Sequence, residues 1–280
     1  MFNKNSPETR NPNHTAGSPL AYYGSKKRLS PHLIPLFPAH RCFVEVFGGS
    51  GALLFAKPVS RVEVLNDING DLVHFYRTLR GPHGPILVRQ LSLTPHSRTE
   101  HACCKRDASE ATGAVEKARR FCVCIGMSYS GIYKDAYSTS KTKALARTWA
   151  KRVDRMPWAA ERLRDVQIEA LDFRRLIPKF DSPETLFYCD PPYLHSTRTA
   201  NAQRKGCRKY THEMTERDHE NLLSVLLTIK GKVMLSGYSS RLYDDSLQGW
   251  RRWTKKVQCV SATTNNRPSI DREEIVWMNF

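Results

Sequence analysis

The run Leu186-Phe187-Tyr188-Cys189 stops abruptly at Asp190-Pro191-Pro192-Tyr193. A short unbroken run of strand formers predicts a strand buried on both faces, because a strand with one wet face alternates. Proline has no N–H to give to a ladder, so the sheet ends where Pro191 begins. A carboxylate, two rigid carbonyls and an aromatic ring are left at the strand's carboxyl end. In an open α/β sheet that edge is where ligands bind. Taken alone, Asp-Pro-Pro reads better as a turn that closes a strand; a second strand end upstream reverses that preference.

The upstream element is Phe43-Val44-Glu45-Val46-Phe47-Gly48-Gly49-Ser50-Gly51, followed by the helix-like pattern Ala52-Leu53-Leu54-Phe55. Glycines at such a junction permit a tight turn and let backbone N–H groups come close to a ligand at a helix start. The next strand, Val62-Glu63-Val64-Leu65, ends in Asn66-Asp67-Ile68-Asn69. An acid at that position accepts hydrogen bonds from ribose hydroxyls in dinucleotide-type folds. By itself the unit suits any adenosine-bearing cofactor.

The two signatures in this order resemble the DNA adenine-N6 methyltransferases, in particular the Dam-related class and its phage relatives. The likeness runs from about Tyr22 to the C-terminus. Phe47-Gly48-Gly49-Ser50-Gly51 is similar to that family's F-x-G-x-G loop, and Asp190 to Tyr193 to its D-P-P-Y motif. Tyr22-Tyr23-Gly24-Ser25-Lys26 looks like its aromatic-Gly-Lys segment, with Ser25 where Gly is frequent. The resemblance implies a Rossmann-like α/β sheet for S-adenosylmethionine with a mostly helical inserted target-recognition domain. It implies Tyr22, Lys26, Phe47, Gly49, Gly51, Asp67, Asp172 and Phe173 as cofactor residues, and Asp190, Pro191, Pro192 and Tyr193 as the catalytic motif. The implied partner is duplex DNA, with no metal. Arg198 and Tyr210 are less diagnostic matches beyond the catalytic strand. Val233-Met234-Leu235-Ser236-Gly237-Tyr238 reads as a later core strand.

The motif's chemistry agrees. An exocyclic amino nitrogen is a poor nucleophile because its lone pair is delocalised into the ring. Accepting its two N–H bonds at the Asp190 carboxylate and the Pro191 carbonyl favours a pyramidal nitrogen and stabilises the positive charge that develops there. Tyr193 would stack on a base that has first left the duplex. Cytosine N4 is the nearest alternative acceptor, and Asp where such enzymes often carry Ser favours adenine. A DNA-binding relative without activity, or an enzyme acting on RNA or protein, are further alternatives. The intact motifs disfavour the first, and Asp190 in place of Asn disfavours the amide-modifying class.

Charge fits a nucleic-acid partner: 44 Lys plus Arg stand against 27 Asp plus Glu, a formal net of +17. Such a field attracts phosphate at long range. Basic residues crowd 141–175, 198–209 and 251–256, the last around Trp250 and Trp253. In the first cluster Ala144, Leu145, Trp149 and Val153 share a helical face, which makes the aromatics core residues. Eight scattered cysteines without a C-x-x-C pair point to reduced thiols in a cytoplasmic protein. No stretch has the apolar length of a membrane span, and no N-terminal apolar run suggests secretion.

Residues 1–18 read as a disordered lead-in, 19–80 and 160–280 as the cofactor-binding catalytic domain, and 81–159 as the target-recognition insertion. In the insertion, 86–93 and 115–124 look helical and 128–140 looks like a loop. Arg119, Arg120, Ser128, Tyr129 and Lys134 are its candidates for DNA contact, joined by Arg198, Lys205 and Tyr210 in the loop beyond Tyr193. A helix over 215–229 is capped by Thr215 with Asp218, and its buried face is Leu222, Leu223, Leu226 and Leu227. The chain ends in a candidate strand over 275–280.

Overall fold

Strand order follows how completely each segment is apolar. In a computed structural model describing residues 17–106, 113–198, 210–258 and 271–280, β4 (Thr185–Cys189) is buried along its whole length. It lies between β1 (Cys42–Glu45) and β5 (Lys232–Gly237), with β2 (Val62–Asn66) and then β3 (Val166–Glu169) beyond β1. These five strands are parallel. β7 (Asp271–Met278) joins β5 antiparallel, and β6 (Arg251–Gln258) pairs antiparallel with β7. The order β3-β2-β1-β4-β5-β7-β6 is the expected Rossmann-like sheet. The chain runs outward from β1 in one direction and resumes at β4 on the other side. The crevice at that reversal is the ligand position of open α/β sheets.

Side chains alternate across the sheet and feed two cores. Phe43, Leu65, Leu186, Tyr188 and Met234 face one side, among residues of α2 (Gly70–Arg80), α3 (Gly84–Leu93), α5 (Ala114–Gly126), α6 (Leu145–Val153) and α7 (Met156–Arg162). Val44, Val64, Phe187, Cys189 and Val233 face the other, among residues of α8 (Phe173–Phe180), α9 (Glu216–Leu226) and α10 (Arg241–Ser246). Two short helices, α1 (Ser30–Leu33) and α4 (Arg98–Lys105), complete the set named here. The helices over 84–162 therefore share a core with the sheet. Trp149 and Val153 of α6 are buried in it, as their spacing predicts.

A buried ion cluster joins that helical stretch to the strands. The Glu63 carboxylate of β2 takes both Lys57 and Arg162, and Arg162 also donates to the Leu54 carbonyl at 3.0 Å. Lys57 and Arg162 outweigh the desolvation of Glu63 and hold its carboxyl below the usual range.

Three expectations need correction. Ala52–Phe55 forms turns, with Phe55 N–H on the Gly51 carbonyl and Lys57 N–H on that of Leu53, and Pro58 follows before a helix has room to develop. Leu227 is 51% exposed, because α9 ends at Leu226 and Leu227 caps it at the surface. The basic run 251–256, read only as a charge cluster, is an edge strand, where lysines discourage further pairing. The capping box of Thr215 and Asp218 is present. The lead-in 1–16, and Lys205 with its neighbours, lie outside the described residues.

Candidate active site

The glycine loop leaves β1 and folds back against the end of β2. Gly49 and Gly51 have φ of +48° and +64°, which side-chain-bearing residues rarely adopt. Gly48 donates to the Asn66 carbonyl, and a Cβ on Gly48 would lie 2.7 Å from that oxygen. The loop is thus held by backbone contact that permits no side chain. Asp67 fixes it further: one carboxylate oxygen accepts Gly49 N–H at 2.8 Å and the other accepts Asn69 N–H at 2.8 Å. Burial raises the Asp67 pKa, against the pull of these two donors.

Asn66 binds three strand ends together. Its Nδ2 donates to the carbonyls of Val46 (2.8 Å) and Leu171 (3.0 Å), and its Oδ1 accepts Leu171 N–H at 2.8 Å. Two residues past Asp67, the Asn69 Oδ1 caps α2 by accepting from Asp71 and Leu72. Asn69 Nδ2 is buried and has no protein partner among the described residues. Tyr22 closes over Gly49, its ring 3.3 Å from where a Cβ would stand. Tyr22, Phe47, Asp67, Asn69 and Asp190 line the resulting recess.

Asp190 sits at the carboxyl end of β4 on the wall of that recess. Lys26 Nζ lies 2.7 Å from Asp190 Oδ1 and 3.2 Å from Glu274 Oε1, and 4.9 Å from the centre of the Tyr193 ring. Tyr193 donates its hydroxyl to Glu274 and meets Tyr238 edge-on at 4.7 Å between ring centres. Burial pushes the Asp190 carboxyl up to about 6; Lys26 opposes this and Glu274 adds to it. Burial works against the charge of Lys26, yet Asp190 and Glu274 hold the ammonium above its ordinary value. Beyond Lys26 opens a cleft of about 780 Å³ that carries Tyr193, Tyr238 and Tyr210 on its walls.

The structure brings together Tyr22, Lys26, Phe47, Gly49, Asp67 and Asp190 around one recess, and sets Gly51 at its loop's far end. Asp172 stands apart: it caps α8 and pairs with Arg174 at 2.8 Å. Phe173 is buried beside Phe47, with ring centres 6.0 Å apart. Arg198 grips Glu213 at 2.6 Å and the Tyr193 carbonyl at 2.8 Å, which fixes the chain after the Asp190–Tyr193 motif. Tyr210 meets Tyr23 at the cleft.

Within the helical stretch, Arg119 is held by Glu116 and Glu100, and Arg120 by Glu116. Ser128 is buried and bonded to His101 at 2.8 Å. Tyr129 is exposed, and Lys134 lies over the Tyr133 ring. The loop they belong to docks on the N-terminal segment through Tyr23 N–H to the Gly131 carbonyl, which puts Ser130 at the cleft.

Sequence reasoning missed Glu274, Tyr238 and the cleft's Lys27, and took the cleft's Lys151, Arg152 and Arg155 only as part of the basic run 141–175. Tyr238 had a signal, since it follows the carboxyl end of β5 just as Tyr193 follows β4. Glu274 had none, because it is one of four consecutive charged residues, Asp271-Arg272-Glu273-Glu274, entering an apolar strand. Among the described residues no group of His, Cys, Asp and Glu is arranged to hold a metal, and no helix is long and apolar enough to cross a membrane.

Over residues 22–261 the sequence matches the family of D12 class N6 adenine-specific DNA methyltransferases. It is also 27% identical over 279 residues to the Type II methyltransferase M1.LlaDCHI of Lactococcus lactis subsp. cremoris, covering 92% of this chain and 93% of that one.

Proposed function

The chain belongs to the D12 class of N6 adenine-specific DNA methyltransferases, and from that premise we propose how its residues perform the transfer. The methyl comes from S-adenosylmethionine held in the glycine-loop recess, and the acceptor is an adenine turned out of the duplex into the adjoining cleft. When bound, S-adenosylmethionine supplies an electrophilic methyl on a positively charged sulfur.

The residues of the recess suit an adenosine-bearing ligand. Each Asp67 oxygen spends one lone pair on a backbone N–H and keeps another for a ribose hydroxyl. Asn69 Nδ2 is a buried donor in need of an acceptor, which a ligand in the recess provides. Tyr22 and Phe47 offer ring faces to an adenine.

On the acceptor side, Asp190 and the Pro191 carbonyl take the two N–H bonds of the adenine amino group. Tyr193 and Tyr238 shelter the base once it has left the stack. The rim above the cleft carries Lys27, Lys151, Arg152 and Arg155, none of which forms an ion pair with a described residue. Burial lowers the Lys27 pKa, and Arg155 and Arg152 add to that. Like charges held together with no acid paired to them among the described residues suit the phosphates of a DNA strand running past the cleft. Arg119 and Arg120, already held by acids, contribute less to DNA than these four. The stretch 81–159 is the target-reading part, and the segments 19–80 and 160–280 carry the chemistry. The description of the Lactococcus relative as a Type II methyltransferase supports a role in restriction-modification.

One observation carries this reading: Asp190, at the end of β4, lines the same recess as Asp67 and the glycine loop. The test is incubation of the protein with labelled S-adenosylmethionine and unmethylated duplex DNA, followed by digestion to nucleosides. N6-methyladenine that disappears with Asp190→Ala is the expected product. N4-methylcytosine, or cofactor binding with no labelled DNA, would overturn the reading.

A further inference from the structure

We infer that Glu274 is a positioning residue for the transfer: it holds Lys26 and Tyr193 so that Asp190 can exchange the lysine for the target amine. The inference rests on the proposed function above and concerns a residue beyond the region that matches the family.

The argument begins with what Asp190 must do. Lys26 Nζ lies 2.7 Å from Asp190 Oδ1, which is a position the amino group of the acceptor base has to share or take. An ammonium displaced from a buried carboxylate and left unpaired would be costly. Glu274 removes that cost, because Lys26 Nζ is already 3.2 Å from Glu274 Oε1 and remains paired after Asp190 turns to the substrate. The three ammonium hydrogens allow both contacts at once. Glu274 is itself 4% exposed, on β7, a strand held antiparallel to β5 beside the site. Its carboxylate is fixed by Tyr193, which donates to it from the catalytic motif.

A second consequence is electrostatic. Asp190, Glu274 and Lys26 together carry one net negative charge when the two acids are ionised. Methyl transfer from a sulfonium to an amine keeps a positive charge in the site throughout and moves it toward nitrogen. A surplus carboxylate fixed there before the reaction favours that charge. Without Glu274 the set would be neutral.

The test is Glu274→Gln, which keeps the length and an acceptor for the Tyr193 hydroxyl but removes the charge. Its melting temperature should match the parent's. With duplex DNA and S-adenosylmethionine, kcat should fall by about 10²-fold, the scale of losing one preorganised electrostatic contact. KM for DNA and the cofactor Kd should stay near the parent's. The pH profile distinguishes a charge effect from a packing effect. Asp190 faces Lys26, Glu274, Glu45, Tyr188, Cys189, Tyr193, Tyr210 and Tyr243, and of these Glu274 is the acid in contact with both Lys26 and Tyr193. Removing its charge should move the acid limb of kcat/KM to lower pH.

Lys26→Met supplies an independent check, because it leaves two carboxylates facing each other. Adding Glu274→Gln to that variant restores a single negative charge and should recover part of the lost activity. An unchanged kcat in Glu274→Gln, an acid limb that does not move, or a double variant no better than Lys26→Met would each overturn the inference. A parent enzyme that forms no N6-methyladenine in the same assay would instead overturn the function on which it rests.

Discussion

The glycine-loop recess and the adjoining cleft share the segment from Tyr22 to Lys26, but they are made of different materials. In the recess, most of the fixing is done by backbone: Gly48 on the Asn66 carbonyl, and Gly49 and Asn69 N–H on Asp67. In the cleft it is done by the charged and aromatic side chains of Lys26, Tyr193 and Glu274, with Asp190 reaching Lys26 from the wall of the recess. Where backbone does the fixing, losing one lining side chain such as Asp67 should cost only moderate affinity, although the loop glycines themselves admit no side chain. A balance of buried charges makes a site in which one removed carboxylate changes the chemistry. The comparison teaches that the two halves should respond differently to the same kind of mutation.

Asp190→Ala gives the largest contrast. Transfer should be lost altogether in single-turnover reactions with labelled cofactor, while equilibrium binding of cofactor and DNA persists. Comparable losses in binding and in turnover would erase the distinction between the two halves. Glu63→Ala, at the junction between helices and strands, should act on both halves equally through stability. Removing the shared partner of buried Lys57 and Arg162 costs about 3–5 kcal/mol, read as a lower denaturation midpoint.

Asp67→Ala should weaken cofactor binding by about 1–3 kcal/mol, the loss of hydrogen bonds to a charged acceptor. With saturating cofactor kcat should stay close to the parent's, and an unchanged dissociation constant would mean the ribose is held elsewhere. The pH dependence sharpens the comparison from the other side. Asp190 must be ionised to accept the amine, and its pKa is raised to about 6 chiefly by burial. Hence kcat/KM should be level above that pH and fall roughly tenfold per unit below it. A profile flat to pH 5 would remove Asp190 from the acceptor role. The smallest effect belongs to the rim: Lys151→Ala and Arg155→Ala should each lower the salt dependence of DNA binding by about one unit of slope and alter all sequences alike.

The same division explains what could be read in the sequence. Phe47 to Gly51, Asp67 and Asp190 to Tyr193 were legible because each lies in a few consecutive residues at a strand's end, where strand chemistry and turn chemistry meet. The burial of the strand before Asp190 and the fate of Trp149 followed from apolar runs and helical spacing, whereas the order of the strands in the sheet did not. Glu274 was not legible, since its role depends on β7 entering the sheet beside β5, a pairing that no local pattern announces. Strand β6 escaped because an exposed edge strand rich in Lys and Arg has no buried face to reveal its period. Arg119 and Arg120 looked available for phosphate on position alone. Glu116, three and four residues before them, was the visible sign that both guanidiniums are already taken.

The three-way tie made by Asn66 sets a condition on the length of β2 as strict as any on its composition. Because side chains alternate along a strand, deleting one residue from β2 would turn Asn66 away from Val46 and Leu171 and point Asp67 away from Gly49. One missing codon there would detach three strand ends and the glycine loop together, although every motif would still be spelled correctly.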